Sequence, residues 1–462
     1  MRWFSYDMSN LRGDLFGGLT AGVVALPLAL ALGVQSGMGA IAGLYGAIGL
    51  GVFSAIFGGT RVQISGPTGP MTVVSSLVVL TVIESTGSLE KGFGLIITVF
   101  FLAGVMLVGF GLLKVGSYIK YIPYPVVSGF MTGIGVIIIV FQFFPTLGHS
   151  SPSTIIGILQ GLPEVFMKLN LETLILTGST LAIIYTFPKI TKLIPSPLVA
   201  LLLISGINSW VHLNVPLIGD IPSGLPDFRL FEWTLSGMGF GLVIKLALTL
   251  ALLGAIDSLL TSIVADNITK TKHNSNQELI GQGIGNMFAA SIGGLPGAGA
   301  TMRTLVNINS GGRSRLSGVV HGLVLLTILM GLGVYAAQIP LAVLAGILIS
   351  VGIGIIDYKG IRHIRHIPRA DAVVMIIVLS LTVFVDLIQA VAAGMIMASI
   401  LFMKQMSDQV TSEVKISPLR SSGRELPWDD ETIPNHIADK IYVKHLDGPL
   451  FFGFAPAFQE MA

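Results

Sequence analysis

The sequence predicts an all-α polytopic membrane protein of fourteen transmembrane segments, two of them half-helices, followed by the start of a small cytoplasmic α/β domain. Three observations predict it. Across 462 residues the chain is 52% hydrophobic and 11% charged, where soluble domains are about a quarter charged. With a mean hydropathy of +0.83 it belongs in a bilayer. Its basic residues gather on one side of the expected membrane. Two apolar stretches, one in each half of the chain, are broken by glycine and proline where an ordinary spanning helix would run.

The apolar segments lie near 15–33, 38–57, 67–84, 93–113, 123–145, 172–188, 195–212, 238–257 (continuing to about 265), 278–293, 301–310, 315–335, 339–356, 370–386 and 388–405. The third and tenth are the expected half-helices. Arg2 and Arg12 flank a first stretch that runs uncharged of lysine and arginine from Leu15 to Thr60. That is long enough for two spans, and it lacks the cleavage pattern of a signal peptide. The chain has no cysteine, so no disulfide or thiolate metal site enters the argument.

Charge distribution tests the count. With the N-terminus inside, the cytoplasmic segments carry Arg2, Arg12, Arg61, Lys114, Lys120, Lys189, Lys192, Lys270, Lys272, Arg313, Arg315, Lys359, Arg362, Arg365 and Arg369. The external loops carry only Lys91, Lys168 and Arg229, and hold Glu84, Glu90, Glu164, Glu172, Asp220, Asp227, Glu232 and Asp386. This is the positive-inside pattern. A thirteen-span arrangement would reverse part of it, so an even count with both termini cytoplasmic is expected.

The composition changes after Met406. The transmembrane domain is read as 1–406 and a polar, proline-containing linker as 407–438. The stretch 439–462 opens a soluble domain, with two short strands joined at Asp447-Gly448-Pro449. Only 24 residues follow Ala438, too few for a domain, so a truncated one is expected.

The two breaks point to function. Gly293-Gly-Leu-Pro-Gly-Ala-Gly-Ala-Thr301 forbids a stable helix as far as Thr301, after which Met302-Arg303-Thr304 can be helical. Gly66-Pro-Thr-Gly-Pro-Met71 repeats the feature in the first half. Interrupted segments in corresponding positions of two halves mark a transporter's binding site. The third span runs outward and the tenth inward, so their N-terminal ends can meet near the bilayer midplane. Two helix N-termini offer free N–H groups and positive dipole ends, which suit an anion.

Ionisable residues inside the membrane are few, and each is a functional candidate. Asp257 and Thr261 lie four residues apart on one helical face. An oxygen-rich pair of this kind suits sodium or a coupled proton. The alternative is a protonated Asp bonded to a neighbouring helix. Arg303 falls in the first turn of the tenth span, where a cation opposes the dipole. It calls for a partner: the anion, Asp257 or a water-filled cavity. Thr68 and Thr301 occupy the breaks, as ligands or as helix caps. His321 reads as a satisfied packing residue and Lys245 as a snorkelling one. No zinc cluster, serine with a base or carboxylate dyad supports an enzyme. The absence of an acidic residue in 297–304 argues against a nucleobase carrier.

The chain resembles the sulfate permease (SulP) family of anion transporters. Three stretches carry the resemblance: Gln63-Ile-Ser-Gly-Pro-Thr-Gly-Pro70, His273-Asn-Ser-Asn-Gln-Glu-Leu-Ile-Gly-Gln-Gly-Ile-Gly-Asn286, and Arg12-Gly-Asp-Leu-Phe-Gly-Gly-Leu-Thr-Ala-Gly22 with Ala25-Leu-Pro-Leu-Ala29. Through Gly254-Ala-Ile-Asp-Ser-Leu-Leu-Thr-Ser-Ile-Val-Ala-Asp-Asn267 it is similar to the BicA-type, sodium-dependent bicarbonate transporters of cyanobacteria. The resemblance implies a seven-plus-seven inverted repeat. Spans 1–4 and 8–11 would form a core domain and spans 5–7 and 12–14 a gate domain, with a STAS-like domain at the C-terminus. It implies a homodimer in the inner (plasma) membrane that works by an elevator motion. By position, the anion would sit at Thr68, Gly69, Ala300 and Thr301. Sodium would sit at Asp257, Thr261, Gly299, Ala300 and Thr301. The function implied is import of bicarbonate by sodium symport, with no cofactor beyond the coupling ion and no nucleic-acid partner. The alternatives are a proton-coupled sulfate or dicarboxylate permease, and an exchanger or channel. Many members carry Glu at the position of Asp257 and Ser-Phe-Ser-Arg where this chain has Ala300-Thr-Met-Arg303. Sulfate or chloride specificity does not carry over from them.

Overall fold

The computed structural model describes residues 10–121, 123–152, 155–191, 194–219, 239–363, 368–385, 387–413, 415–418 and 442–445. The first half holds α1 (Leu11–Gln35), α2 (Ala40–Phe57), β1 (Ser65–Gly66), α3 (Gly69–Thr86), α4 (Leu89–Leu112), α5 (Tyr124–Phe141), α6 (Phe143–Thr146), α7 (Ile155–Met167), α8 (Leu171–Thr186) and α9 (Ser196–Val211). The second holds α10 (Phe240–Thr269), α11 (Ser275–Ser291), β2 (Ala298–Gly299), α12 (Thr301–Asn309), α13 (Arg315–Ala336), α14 (Leu341–Ile355), α15 (Tyr358–His363), α16 (Arg369–Phe384) and α17 (Leu387–Glu413). A last pair of strands, β3 (Lys415–Pro418) and β4 (Tyr442–His445), is antiparallel.

Each of the fourteen apolar segments falls on a helix: α1 to α5, α8 to α14, α16 and α17. Among the described residues, seven helices are long and apolar enough to cross a membrane, and shorter apolar helices accompany them. Two expectations need correction. Only α12, with nine residues, is a half-helix, whereas α3 has eighteen. Pro70 stands in the first turn of α3, where it removes no helical hydrogen bond, and an unbroken run follows to Thr86. The polar change at Met406 also does not end the last helix. No glycine or proline lies between Gln405 and Glu413, so α17 continues, and Lys415–Pro418 of the expected linker is a strand. The strand expected beyond Asp447-Gly448-Pro449 lies outside the described residues, as do Arg2, Lys192, Asp220, Asp227, Arg229, Glu232, Arg365 and Asp386.

Two helices lie outside the fourteen apolar segments. In α7, apolar residues recur at Ile155, Ile158, Leu162 and Val165, a one-sided pattern too short for a span. Ile158 and Val165 pack on Phe144 and Leu147. The other, α15, is a six-residue turn after α14.

The helices pack in two sets. In one, α1 lies against α2, α12 and α13, α11 fits between α2 and α4, and α10 lies against α3, α4 and α12. Small residues permit the close approach, as is usual in membranes. A Cβ on Gly285 of α11 would come within 2.2 Å of Ser54 Oγ on α2. Asp14 of α1 reaches the start of α13, accepting from Arg313 N (2.7 Å), Ser314 N (2.9 Å) and Ser314 Oγ (2.6 Å). It serves as an N-cap supplied by another helix. In the other set, α14 packs on α5, α8 and α9, and α16 packs on α5 and α17. The sets meet where α1 touches α9 and α14 and where α3 touches α5. A cavity of about 550 Å³ opens along that seam, lined among others by Gln35, Ser76, Gln142, Thr173 and Leu344.

Asp357, between α14 and α15, ties the second set together. Its Oδ2 accepts from Ser128 Oγ (2.6 Å) and the Tyr124 hydroxyl, and its Oδ1 from Gly360 N (3.0 Å). Burial opposes its charged form, but the hydrogen bonds outweigh burial and hold the carboxyl below its ordinary value of 3.8. A depressed carboxyl contributes stability that is complete above the unfolded value and lost as pH falls through the folded one. Asp357 is only partly buried, so solvent screens its charge, and Asp357→Asn is expected to cost about 0.5–1 kcal/mol of stability at neutral pH. Thermal melts across a pH series check this. A gap between variant and parent that does not shrink in acid would show that the charge at Asp357 is not what matters.

Candidate anion and cation site

The two broken segments meet. β1 and β2 cross antiparallel, with Ser65 opposite Gly299 and Gly66 opposite Ala298. Ala300 N donates to Ile64 O (2.8 Å) and Ile64 N to Thr304 Oγ1 (3.0 Å). Backbone that leaves a helix inside a membrane must find partners, and the crossing supplies them. Asn286 of α11 adds two, accepting from Gly297 N (2.9 Å) and donating to Gly297 O (3.1 Å). The approach requires glycine: a Cβ on Gly297 would lie 2.1 Å from Gly66 O and 2.4 Å from Gly66 C.

From this crossing α3 and α12 set out. Thr68 and Ala300 are their N-cap residues, and neither helix has a side-chain cap. The first turns and positive dipole ends of both helices are thus free of side-chain caps. The four residues expected to bind the anion stand at these two starts: Thr68 and Gly69 at α3, Ala300 and Thr301 at α12. Gly69 lies against the second set of helices, where an added Cβ would meet Ile138 Cδ1 at 2.6 Å and Ile355 Cδ1 at 2.8 Å.

The residues expected to bind the cation come from α10 and the second break. Asp257 is buried, and its Oδ2 accepts from Thr68 Oγ1 (2.7 Å). Thr261 Oγ1 donates to Gly299 O (2.9 Å) and lies 2.7 Å from Thr301 Oγ1. Gly299 N donates to Ser258 Oγ (3.1 Å). A carboxylate, two hydroxyls and a carbonyl form an all-oxygen donor set, the chemistry a hard monovalent cation takes. Neither threonine at the breaks caps its helix; both hydroxyls turn to α10 instead.

Arg303 is buried at 3% exposure and donates through Nη2 to the carbonyl of Pro67, in the opposite break. Its Nη1 has no protein partner. It interacts with Asp257 electrostatically without a direct ion pair. The structure thus gives Arg303 a partner absent from the sequence-based candidates: a backbone carbonyl freed by the first break. His321 packs in the interior as expected, but it is not satisfied, since neither ring nitrogen has a partner. It sits where glycine makes room, with a Cβ on Gly51 only 2.6 Å from its Nδ1. Lys245 is exposed.

One support of the crossing, outside the ligand residues, escaped sequence reasoning. Glu278 on α11 binds the loop before β1 and two glutamines, Gln63 and Gln282, that brace the crossing. It lies within the His273–Asn286 motif, and a carboxylate one turn into a transmembrane helix was the available signal.

The pattern of the sulfate permease family matches residues 11–378. The chain belongs to that family. It is accordingly a multi-pass membrane transporter of anions, not an enzyme. A protein of the family from Picosynechococcus, described as bicarbonate transporter BicA, is 45% identical over 97% of this chain and 80% of its own length. One from Bacillus subtilis, described as putative sulfate transporter YvdB, is 34% identical over 98% of this chain and 82% of its own length. The solved transmembrane domain of a cyanobacterial bicarbonate transporter BicA superposes with a TM-score of 0.78 at 46% identity, covering 83% of this chain and 98% of that one. SLC26A9 shares the fold, with a TM-score of 0.82 at 19% identity over 98% of this chain and 74% of that one.

Proposed function

We propose that this sulfate permease family member imports bicarbonate together with sodium. The observation that carries the proposal is the bond between Thr68, at the start of α3, and Asp257 on α10. It joins the anion's place to the cation's through one proton. A hydroxyl has a single proton to donate. While Asp257 is bare, Thr68 gives that proton to the carboxylate, and an anion approaching the two helix starts meets the carboxylate's charge. Sodium held by Asp257, Thr261, Thr301 and the Gly299 carbonyl neutralises that charge and releases the Thr68 hydroxyl to the anion. The anion then rests on Thr68, Gly69, Ala300 and Thr301. Arg303 balances charge beside the site.

Relatives at 44–45% identity described as bicarbonate transporters support bicarbonate as the anion. In this reading the set holding the site, α1–α4 with α10–α13, is a core that moves as an elevator. It moves against a gate of α5, α8, α9, α14, α16 and α17, with the two halves forming a seven-plus-seven inverted repeat. The apolar contact of Gly69 with Ile138 and Ile355, and the cavity along the seam, suit a sliding face. The protein would work as a homodimer in the inner membrane with both termini cytoplasmic, and the C-terminal strands would open a STAS-like domain. The test is uptake of radiolabelled bicarbonate and sulfate into proteoliposomes with and without an inward sodium gradient. Bicarbonate uptake that follows the sodium gradient is expected. Sodium-independent sulfate uptake without bicarbonate transport would overturn the reading.

A further inference from the structure

Glu278 is a buried charge that the transport cycle above does not use. It is 1% exposed, on α11. Its Oε2 accepts from Gly59 N and Thr60 N, each at 2.8 Å. Its Oε1 accepts from Gln63 Nε2 and Gln282 Nε2, also at 2.8 Å. All four partners are N–H groups that can only donate, so the four acceptor positions of a carboxylate are filled.

Two of the four donors lead to the crossing. With Nε2 committed to Glu278, the Gln63 amide must turn Oε1 to Ser262 on α10, which donates to it at 2.9 Å. The same amide lies flat against Gly299, where a Cβ would come within 2.1 Å of Gln63 Nε2. Gly299 supplies the carbonyl that Thr261 binds. The second donor, Gln282, also donates to Ser65 Oγ (2.6 Å) in β1. One carboxylate therefore sets the orientation of two amides. One of them braces β2 and α10, and the other braces β1. Ser262 extends the link to Thr60 through a 2.7 Å hydroxyl contact.

We infer that Glu278 is a positioning residue for the ligand site: through Gln63 and Gln282 it fixes the register of the crossed strands and so the Gly299 carbonyl that faces the cation. The inference rests on the crossing being that site. A neutral amide at 278 has one acceptor end: turned to the glutamines it leaves Gly59 N and Thr60 N unpaired, and turned to the loop it meets Gln63 and Gln282 with N–H groups and forces both to flip. A flipped Gln63 presents N–H groups to Ser262 and shifts the plane against which Gly299 rests. No atom of Glu278 needs to touch either ligand for this to alter binding.

The test compares the parent chain with Glu278→Gln and Gln63→Met in proteoliposomes and as purified protein. Gln63→Met keeps the bulk beside Gly299 and leaves Glu278 three of its donors. Sodium is titrated in two ways, by radiolabelled bicarbonate uptake and by sodium-dependent thermal stabilisation. The half-saturating sodium is expected to rise roughly 10- to 100-fold in both variants, as for lost outer-shell partners of an ion site. Maximal uptake at saturating sodium should stay close to that of the parent. A purely structural role would instead lower abundance and melting temperature and leave half-saturation where it was, and that result overturns the inference. If Glu278→Gln fails to reach the membrane, Gln63→Met decides by the same criterion. If the parent itself shows no sodium dependence, the sodium reading falls and the comparison moves to half-saturating bicarbonate. A rise there in both variants supports positioning by Glu278, and an unchanged value overturns it.

Discussion

Asp257→Asn is expected to abolish sodium-driven uptake while leaving the protein folded and in the membrane. The carboxylate is buried, and the other oxygens around it are neutral hydroxyls and a carbonyl. A cation placed there without Asp257 is a buried charge with no counter-charge beside it, which costs roughly 3–5 kcal/mol. That corresponds to about two to three and a half decades in cation affinity. Asn keeps the size and one oxygen, so Thr68 retains an acceptor and α10 loses no packing. The decisive measurement is the sodium dependence of bicarbonate uptake together with membrane abundance. A parent-like sodium response in Asp257→Asn would remove Asp257 from the coupling scheme. Loss of all uptake with the protein absent from the membrane would show a folding role instead.

Gly297→Ala is expected to destabilise the crossing of the two broken segments. Its Cβ would meet Gly66 O at 2.1 Å, Gly66 C at 2.4 Å and Pro67 N at 2.7 Å. All three are backbone atoms of the opposing strand, so no side chain can swing away. Relief requires the strands to part, which strips partners from backbone that lies within the membrane. Overpacking of this kind costs about 1–3 kcal/mol even where side chains can adjust, and here that is a lower bound. Gly206→Ala is the control. It adds the same methyl to a helix where nothing lies within 4 Å, and it should be neutral or gain up to about 1 kcal/mol. Melting temperature and uptake are measured on both. Equal behaviour of the two variants would mean that the crossing tolerates separation.

Much of this was legible along the chain. The breaks at Gly66–Pro70 and Gly293–Ala300 are local statements about backbone, made by glycine and proline whatever the surroundings, and β1, β2 and the starts of α3 and α12 fall there. Asp257 and Thr261 share a face because helical spacing puts them on one. The helix α7 is hard to read along the chain because a thirteen-residue amphipathic segment resembles neither a span nor a loop. The end of α17 does not follow polarity: with no helix breaker after Met406, the helix runs on to Glu413 through polar residues.

Glycine, proline and charge along the chain set where helices are interrupted inside the membrane and which charges lie within it, since both depend on neighbours a few residues away. What those charges face is fixed by the packing of distant segments. Thr68 and Asp257 are 189 residues apart, Arg303 and Pro67 are 236, and Glu278 and Gln63 are 215. Periodicity carries no information over such separations. Which buried polar groups meet is settled by packing the whole set of helices so that each donor leaving water finds an acceptor. That requirement belongs to the assembled fold and not to any one stretch of chain.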